Sequence, residues 1–246
     1  MRVARVLVPA AIAVALLAGC GGGDNGGTTS SSSAPPASTP PASNGVAELT
    51  PDEILAKAIE ALEKAGSYQV SGKATEEGEV TSMDFKFANG SWGGTINMQG
   101  SGVELLVVEN QTYFKADADF WKAMGGADGA GVAKLINDRW VKVSADDEMF
   151  GDMSEISGMA DPKTLLQPDG TLAKGEAKEL EAGPAIGLVD QKAKSTLYVA
   201  TTGEPYPLLI ESPDGDVTIG GFGESYPELV QPAEKDVVDF SELSGS

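Results

Sequence analysis

Between Ser67 and Ala116 the chain alternates apolar and polar residues through five short runs separated by turn residues. Tyr68, Val70, Gly72 and Ala74 alternate with Ser67, Gln69, Ser71 and Lys73; Met83, Phe85 and Phe87 alternate with Ser82, Asp84 and Lys86. Trp92, Gly94, Ile96 and Met98 follow, then Val103, Leu105 and Val107, then Thr112, Phe114 and Ala116. A period of two places each apolar set on one face of a sheet, as in antiparallel sheets with one wet side. Asn89-Gly90 and Gly100-Ser101-Gly102 supply turn chemistry between runs. Gly93 and Gly94 lie inside a strand pattern, where glycine marks a bend or bulge that curls a sheet and leaves room on its inner side. The expected class is therefore α+β, with a curved antiparallel sheet whose apolar face has to be covered.

The first cover is a helix. Thr50-Pro51-Asp52-Glu53 combines an N-cap, a proline at the first helical position and a capping-box glutamate. Ile54, Leu55, Ala58, Ile59, Leu62 and Ala65 make one apolar stripe, and Gly66 stops the helix. Its polar face carries both signs of charge, which suits core packing better than a membrane surface. One such helix is narrower than the concave side of a curved five-strand sheet. Met83, Phe85, Phe87, Trp92, Ile96, Met98, Leu105 and Phe114 are thus candidates to line an apolar cavity as well as to fill a core. After Ala116 come short helical turns around the Gly-rich stretch from Gly125 to Gly131, a strand at Arg139 to Val143, and a Met-rich, weakly helical stretch from Asp152 to Leu166. Trp121, Met124, Phe150, Met153 and Met159, with Met149, are placed there to act as a lid. Strands return at Ala177–Glu181, Ala185–Val189, Ser195–Thr201, Pro207–Glu211 and Val217–Gly221, and the tail from Pro232 to Phe240 is read as extended, anchored by Val237, Val238 and Phe240.

The N-terminus carries a different signal. Arg2 and Arg5 precede an apolar run from Val6 to Ala18, shorter than the roughly 20 residues that span a bilayer. The run ends in Leu17-Ala18-Gly19-Cys20, and Cys20 is the chain's one cysteine. This looks like a bacterial lipobox: cleavage between Gly19 and Cys20, with the cysteine lipidated. Residues 1–19 are then a signal peptide, and residues 20–45, rich in Gly, Ser and Pro, a tether of roughly 25–30 Å. The folded domain is expected over residues 46–246.

Chemistry is limited by what is missing. The chain has no histidine and no thiol besides Cys20, so the usual general base and nucleophile are absent. No Gly-x-Ser-x-Gly elbow occurs. Asp146-Asp147-Glu148 and the Asp117/Asp119 pair offer carboxylates of the kind calcium takes, but no segment has the 12-residue EF-hand spacing. The reading is of a non-enzyme with no cofactor and no built metal site. A net charge of −20 argues against nucleic acid as a partner.

The order of parts resembles a known family. Lipobox, tether, opening helix, strand meander and helical insert are followed by Leu197-Tyr198-Val199-Ala200-Thr201-Thr202-Gly203-Glu204-Pro205, then Ile219-Gly220-Gly221-Phe222-Gly223, then Pro232-Ala233-Glu234-Lys235-Asp236-Val237-Val238. This is similar to the LppX/LprG-type actinobacterial lipoproteins, which share the LolA-like fold, across roughly residues 48–243. The resemblance implies an incomplete β-barrel with helices in its concave mouth and an acyl chain or glycolipid between them. It also implies anchoring at the extracytoplasmic face of the cell membrane, with lipid carriage or presentation as the role. A non-enzymatic envelope scaffold with a filled core, meeting a protein partner through its acidic surface, is the other reading of the same residues.

Overall fold

The computed structural model describes residues 42–76, 79–98, 101–125, 129–143 and 153–239. They form an α+β unit built on one curved, unclosed sheet of twelve strands. In chain order these are helix α1 (Pro51–Ala65), β1 (Ser67–Glu76), β2 (Glu79–Ala88), β3 (Ser91–Met98), β4 (Ser101–Val108) and β5 (Gln111–Ala116). Next come α2 (Ala118–Gly125), α3 (Gly129–Ile136), β6 (Trp140–Val143), α4 (Met153–Gly158) and α5 (Pro162–Leu165). The last part holds β7 (Leu172–Leu180), β8 (Gly183–Asp190), β9 (Ser195–Ala200), β10 (Pro207–Ser212), β11 (Gly215–Gly220) and β12 (Val237–Asp239). The spatial order is β12-β6-β5-β4-β3-β2-β1-β11-β10-β9-β8-β7, antiparallel throughout except for the parallel β12–β6 pair.

The five-strand meander and the later strands expected from sequence join into one sheet where β1 pairs with β11, Val70 opposite Ile219. The start of α1 is made as its residues predict: the Glu53 carboxylate accepts from the Thr50 N–H at 2.9 Å and the Thr50 hydroxyl at 2.7 Å. Gly66, at φ 71°, ends the helix in the left-handed region that glycine enters without strain. Ile54, Ala58, Ala61 and Leu62 are buried, and α1 lies against β1, β7 and β10. Docking of the chain begins just before this helix. Ser43 bridges Thr202, and the Asn44 side chain donates to the Ala200 and Gly203 carbonyls.

The outer face is not wholly wet. Leu106, Val108 and Tyr113 form a second apolar cluster there with Trp140, Leu229 and Val237. The segment after β11 crosses this face: Gln231 donates to the Tyr113 hydroxyl at 2.9 Å, and Lys86 pairs with Glu228 at 2.6 Å. Gly93 is explained by this crossing, since a Cβ there would stand 3.0 Å from both Leu106 Cδ1 and Leu229 Cδ2. The expectation that Gly93 and Gly94 open space inside the sheet is therefore corrected. Gly93 faces outward beneath Leu229. At Gly94 a Cβ would lie 2.0 Å from the Asp84 carbonyl oxygen and 2.7 Å from the Phe85 ring, so its space is filled by the neighbouring strand. Leu229→Ala should destabilise the chain by about 1–2 kcal/mol, less than a fully buried leucine, as read by urea unfolding.

Candidate functional site

Cross-strand register sorts the inner face into rows. One row runs Tyr68, Phe87, Trp92, Val107, Thr112, Val143. Its aromatic members interlock, with Tyr68 stacked on Phe87 at 5.2 Å and Phe85 from the next row edge-on to Trp92 at 5.7 Å. The second row, Ile219, Val70, Phe85, Gly94, Leu105, Phe114, Val141, is buried along its length apart from half-buried Gly94. Phe114 meets the rings of Phe120 and Trp121, which α2 brings over it at 5.3 and 5.4 Å.

The third row differs. Leu188, Leu197, Ile210, Val217, Gly72, Met83, Ile96, Val103 and Ala116 stand opposite one another in unbroken register across β8, β9, β10, β11, β1, β2, β3, β4 and β5. Leu188 at one end and Val103 and Ala116 at the other are buried. Every position between them is only half-buried. At strand spacings of about 4.8 Å the row is roughly 38 Å long, more than an extended fatty acyl chain. One pleat further on the inner face is polar or small at Asp190, Ser195, Ser212, Gly215, Ala74, Thr81 and Ser101, with Met98 the one large apolar residue in the row, between Thr81 and Ser101. Apolar surface that is continuous, incompletely covered and rimmed by polar groups is the usual mark of a binding site.

The Leu188 end of the row opens into a crevice of about 190 Å³. Leu55 of α1, Leu165 and Leu166 at the end of α5, and Leu172, Leu188, Leu197 and Ile210 of the sheet line it, together with the polar Gln167, Asp169, Asp190 and Ser195. This is below the roughly 300–1,000 Å³ of a whole small-molecule pocket, so it takes one end of a chain. A larger concavity of about 760 Å³ lies on the outer face. Ser71, Lys73, Ser82, Asp84, Thr95, Asn97 and Asp216 line it, and its hydroxyls, amides and charges suit water better than an apolar ligand.

The crevice has a braced rim. Asp190 is buried, and its carboxylate accepts four backbone N–H groups. Those of Lys192 and Ala193 donate at 2.8 and 3.1 Å, and those of Asp169 and Gly170 at 2.7 and 3.1 Å. These bonds, that of Ala193 foremost, hold the carboxyl below its ordinary value against burial that pushes it up. They clasp the loop after α5 to the β8–β9 turn. The stabilisation is complete above the unfolded carboxyl value of about 3.9 and is lost as pH falls through the lower folded value. Asp190→Asn should lower the thermal midpoint by several degrees at pH 7, with the gap to the parent chain narrowing below about pH 4 in paired melts.

Of the residues singled out from sequence, Phe85, Phe87, Trp92, Leu105 and Phe114 are buried in the first two rows, while Met83 and Ile96 belong to the half-open third. Among the lid candidates, Trp121 is buried on Phe114. Met159 is half-buried against the core, its carbonyl accepting from the Tyr68 hydroxyl. Burial and then the charge of Asp161 push that phenol up, which keeps it a donor. Phe150 and Met149 lie outside the described residues, as do the side chains of Met98, Met124 and Met153. Among the described residues no group of three or more His, Cys, Asp or Glu could hold a metal ion, and Asp146–Glu148 fall outside them. Leu188, Leu197, Ile210 and Val217 were not singled out from sequence. Alternation around Leu197 marks a strand, but which face is apolar follows only from pairing.

No protein-family model matches this chain, and no curated protein does. Among solved structures it is similar to the crystal structure of an uncharacterized conserved protein from Thermus thermophilus. That likeness covers 76% of this chain and 98% of the other at 14% identity, with a TM-score of 0.40.

Proposed function

We propose that this chain is a membrane-anchored lipoprotein of the cell envelope that holds an acyl lipid or similar apolar ligand on the inner face of its sheet and carries or presents it. The observation that carries the reading is the third row, an in-register apolar furrow left half-covered and ending in a crevice with leucines on its inner wall and polar residues at its mouth. Burial of an acyl chain there supplies affinity at about 25 cal/mol per Å² before ordering costs, and no covalent step is needed. The lipobox at Cys20 and the tether behind it would keep the furrow near a bilayer from which a ligand can be drawn. A curved, unclosed sheet with helices on its concave side is also what the LppX/LprG resemblance leads one to expect, and within that reading the fold is LolA-like. The test is native mass spectrometry of the whole chain with Cys20→Ser, purified from a lipid-rich host. Retention of one acyl lipid per chain is expected; a bare polypeptide under gentle ionisation contradicts the reading.

The interlocked Tyr68, Phe85, Phe87 and Trp92 favour a second reading, a filled-core scaffold. It predicts no saturable uptake of a fluorescent fatty acyl probe, and salt-sensitive capture of a basic partner instead.

A further inference from the structure

The unused chemistry in this fold is a single buried donor. Trp121 is 6% exposed, and its indole Nε1, buried with no hydrogen-bond partner, is the one such side-chain atom among the described residues. A buried N–H without an acceptor opposes folding, and such groups call for a specific explanation. The surroundings hold the indole firmly. Phe114 and Phe120 meet it edge-on at 5.4 and 5.5 Å. Asp117 caps α2 through the Phe120 N–H at 2.7 Å. Gly129 brings α3 so close that a Cβ would stand 2.3 Å from the Trp121 carbonyl oxygen. Arg139 closes α3 by donating to the Ile136 and Leu135 carbonyls at 3.1 and 2.8 Å. The donor is thus fixed on a stiff hairpin, and α2 starts two residues after Ala116, where the apolar furrow ends.

Resting on the lipid-binding reading above, the geometry points to Trp121 Nε1 as the donor that recognises a neutral carbonyl of the ligand, so that the chain selects acyl esters and orients them with the ester at α2 and the hydrocarbon end toward Leu55 and Leu165. A free carboxylate fits less well. Lys122 is paired with Asp119 at 2.7 Å, Arg139 is engaged with carbonyls, and Lys134 is exposed, so a buried carboxylate would lack a cation from the hairpin.

The experiment compares methyl oleate, oleate and octadecene as competitors of a fluorescent acyl probe on the whole chain with Cys20→Ser, with and without Trp121→Phe. Methyl oleate should bind about tenfold more tightly than octadecene, the size of one net hydrogen bond, and Trp121→Phe should erase that difference. Equal weakening of ester and alkene in the variant overturns the inference and leaves lipid binding standing. Failure of all three competitors to bind the parent overturns both. As a check that needs no variant, the Trp121 indole N–H resonance of labelled parent protein should move downfield with methyl oleate and not with octadecene.

Discussion

Replacing Gly94 with valine is expected to cost about 4 kcal/mol or more, a large share of the 5–15 kcal/mol that holds most domains folded. The reason is local and rigid. The first atom added would lie 2.0 Å from the Asp84 carbonyl oxygen and 2.7 Å from the Phe85 Cα, and these are backbone atoms of the adjacent strand that cannot swing aside. β2 and β3 would have to part at the centre of the most buried row. The neighbouring glycine provides the control. At Gly93 the closest atoms are the tips of Leu106 and Leu229, each at 3.0 Å, which can turn away. Gly93→Ala should therefore cost about 1 kcal/mol. Urea unfolding of the two variants side by side reads the difference, and equal losses would mean that the sheet does not close against Phe85 as described.

The second large effect concerns binding. Ile96→Asp and Met83→Glu place a carboxylate in the middle of the furrow. Both parent side chains are half-buried, so each variant should fold, with a loss of about 1 kcal/mol. An acyl chain lying across that charge would strip its water with no partner to replace it, and affinity should fall about 100-fold. Phe85→Asp, one row away, should unfold the chain because Phe85 is fully buried. Asn97→Asp, beside Ile96 on the outer face, should leave uptake unchanged. Titration of a fluorescent acyl probe into the four variants separates a furrow on the third row from binding anywhere else on the sheet.

How much of this was legible in the chain depends on the range of the interaction concerned. The capping box at Thr50 and Glu53 and the helix stop at Gly66 are settled within a few residues, and both appear where the residues predict them. The five-strand meander is nearly as local, because each strand pairs with the next. The β1–β11 junction and the parallel β12–β6 pair join residues far apart in sequence, and no periodicity announces them. β7 starts at Leu172, five residues before the expected Ala177, because Lys174 and Glu176 give this edge strand the charges that keep it from pairing with another chain, and they mask its apolar side. On β4 and β5 both faces are apolar, Leu105 beside Leu106 and Phe114 beside Tyr113, so alternation alone could not show the outer cluster under Leu229.

The candidate site was half legible for the same reason. Met83 and Ile96 stand out as apolar residues on a strand, but so do Phe85, Phe87 and Trp92, and only the register shows that the first pair lies on a half-covered row. The run Pro207-Leu208-Leu209-Ile210 gives no period at all, and a shift in pairing between Pro207 and Leu209 decides that Ile210 faces inward. Leu188, Leu197 and Val217 reach the furrow by pairing across the second meander. The buried indole N–H of Trp121 could not have been found from sequence, since an unpaired donor is a property of surroundings.

The most direct measurement is photo-crosslinking of the folded chain with a long-chain acyl ester carrying a diazirine midway along its hydrocarbon. Adducts should fall on Ile96 and Met83, where an ester held at α2 puts the middle of an acyl chain, about 10–15 Å along the row, and excess unlabelled methyl oleate should suppress them. Adducts confined to Leu106, Trp140 and Leu229 on the outer face, or no adduct that competitor removes, would contradict an apolar furrow that holds lipid.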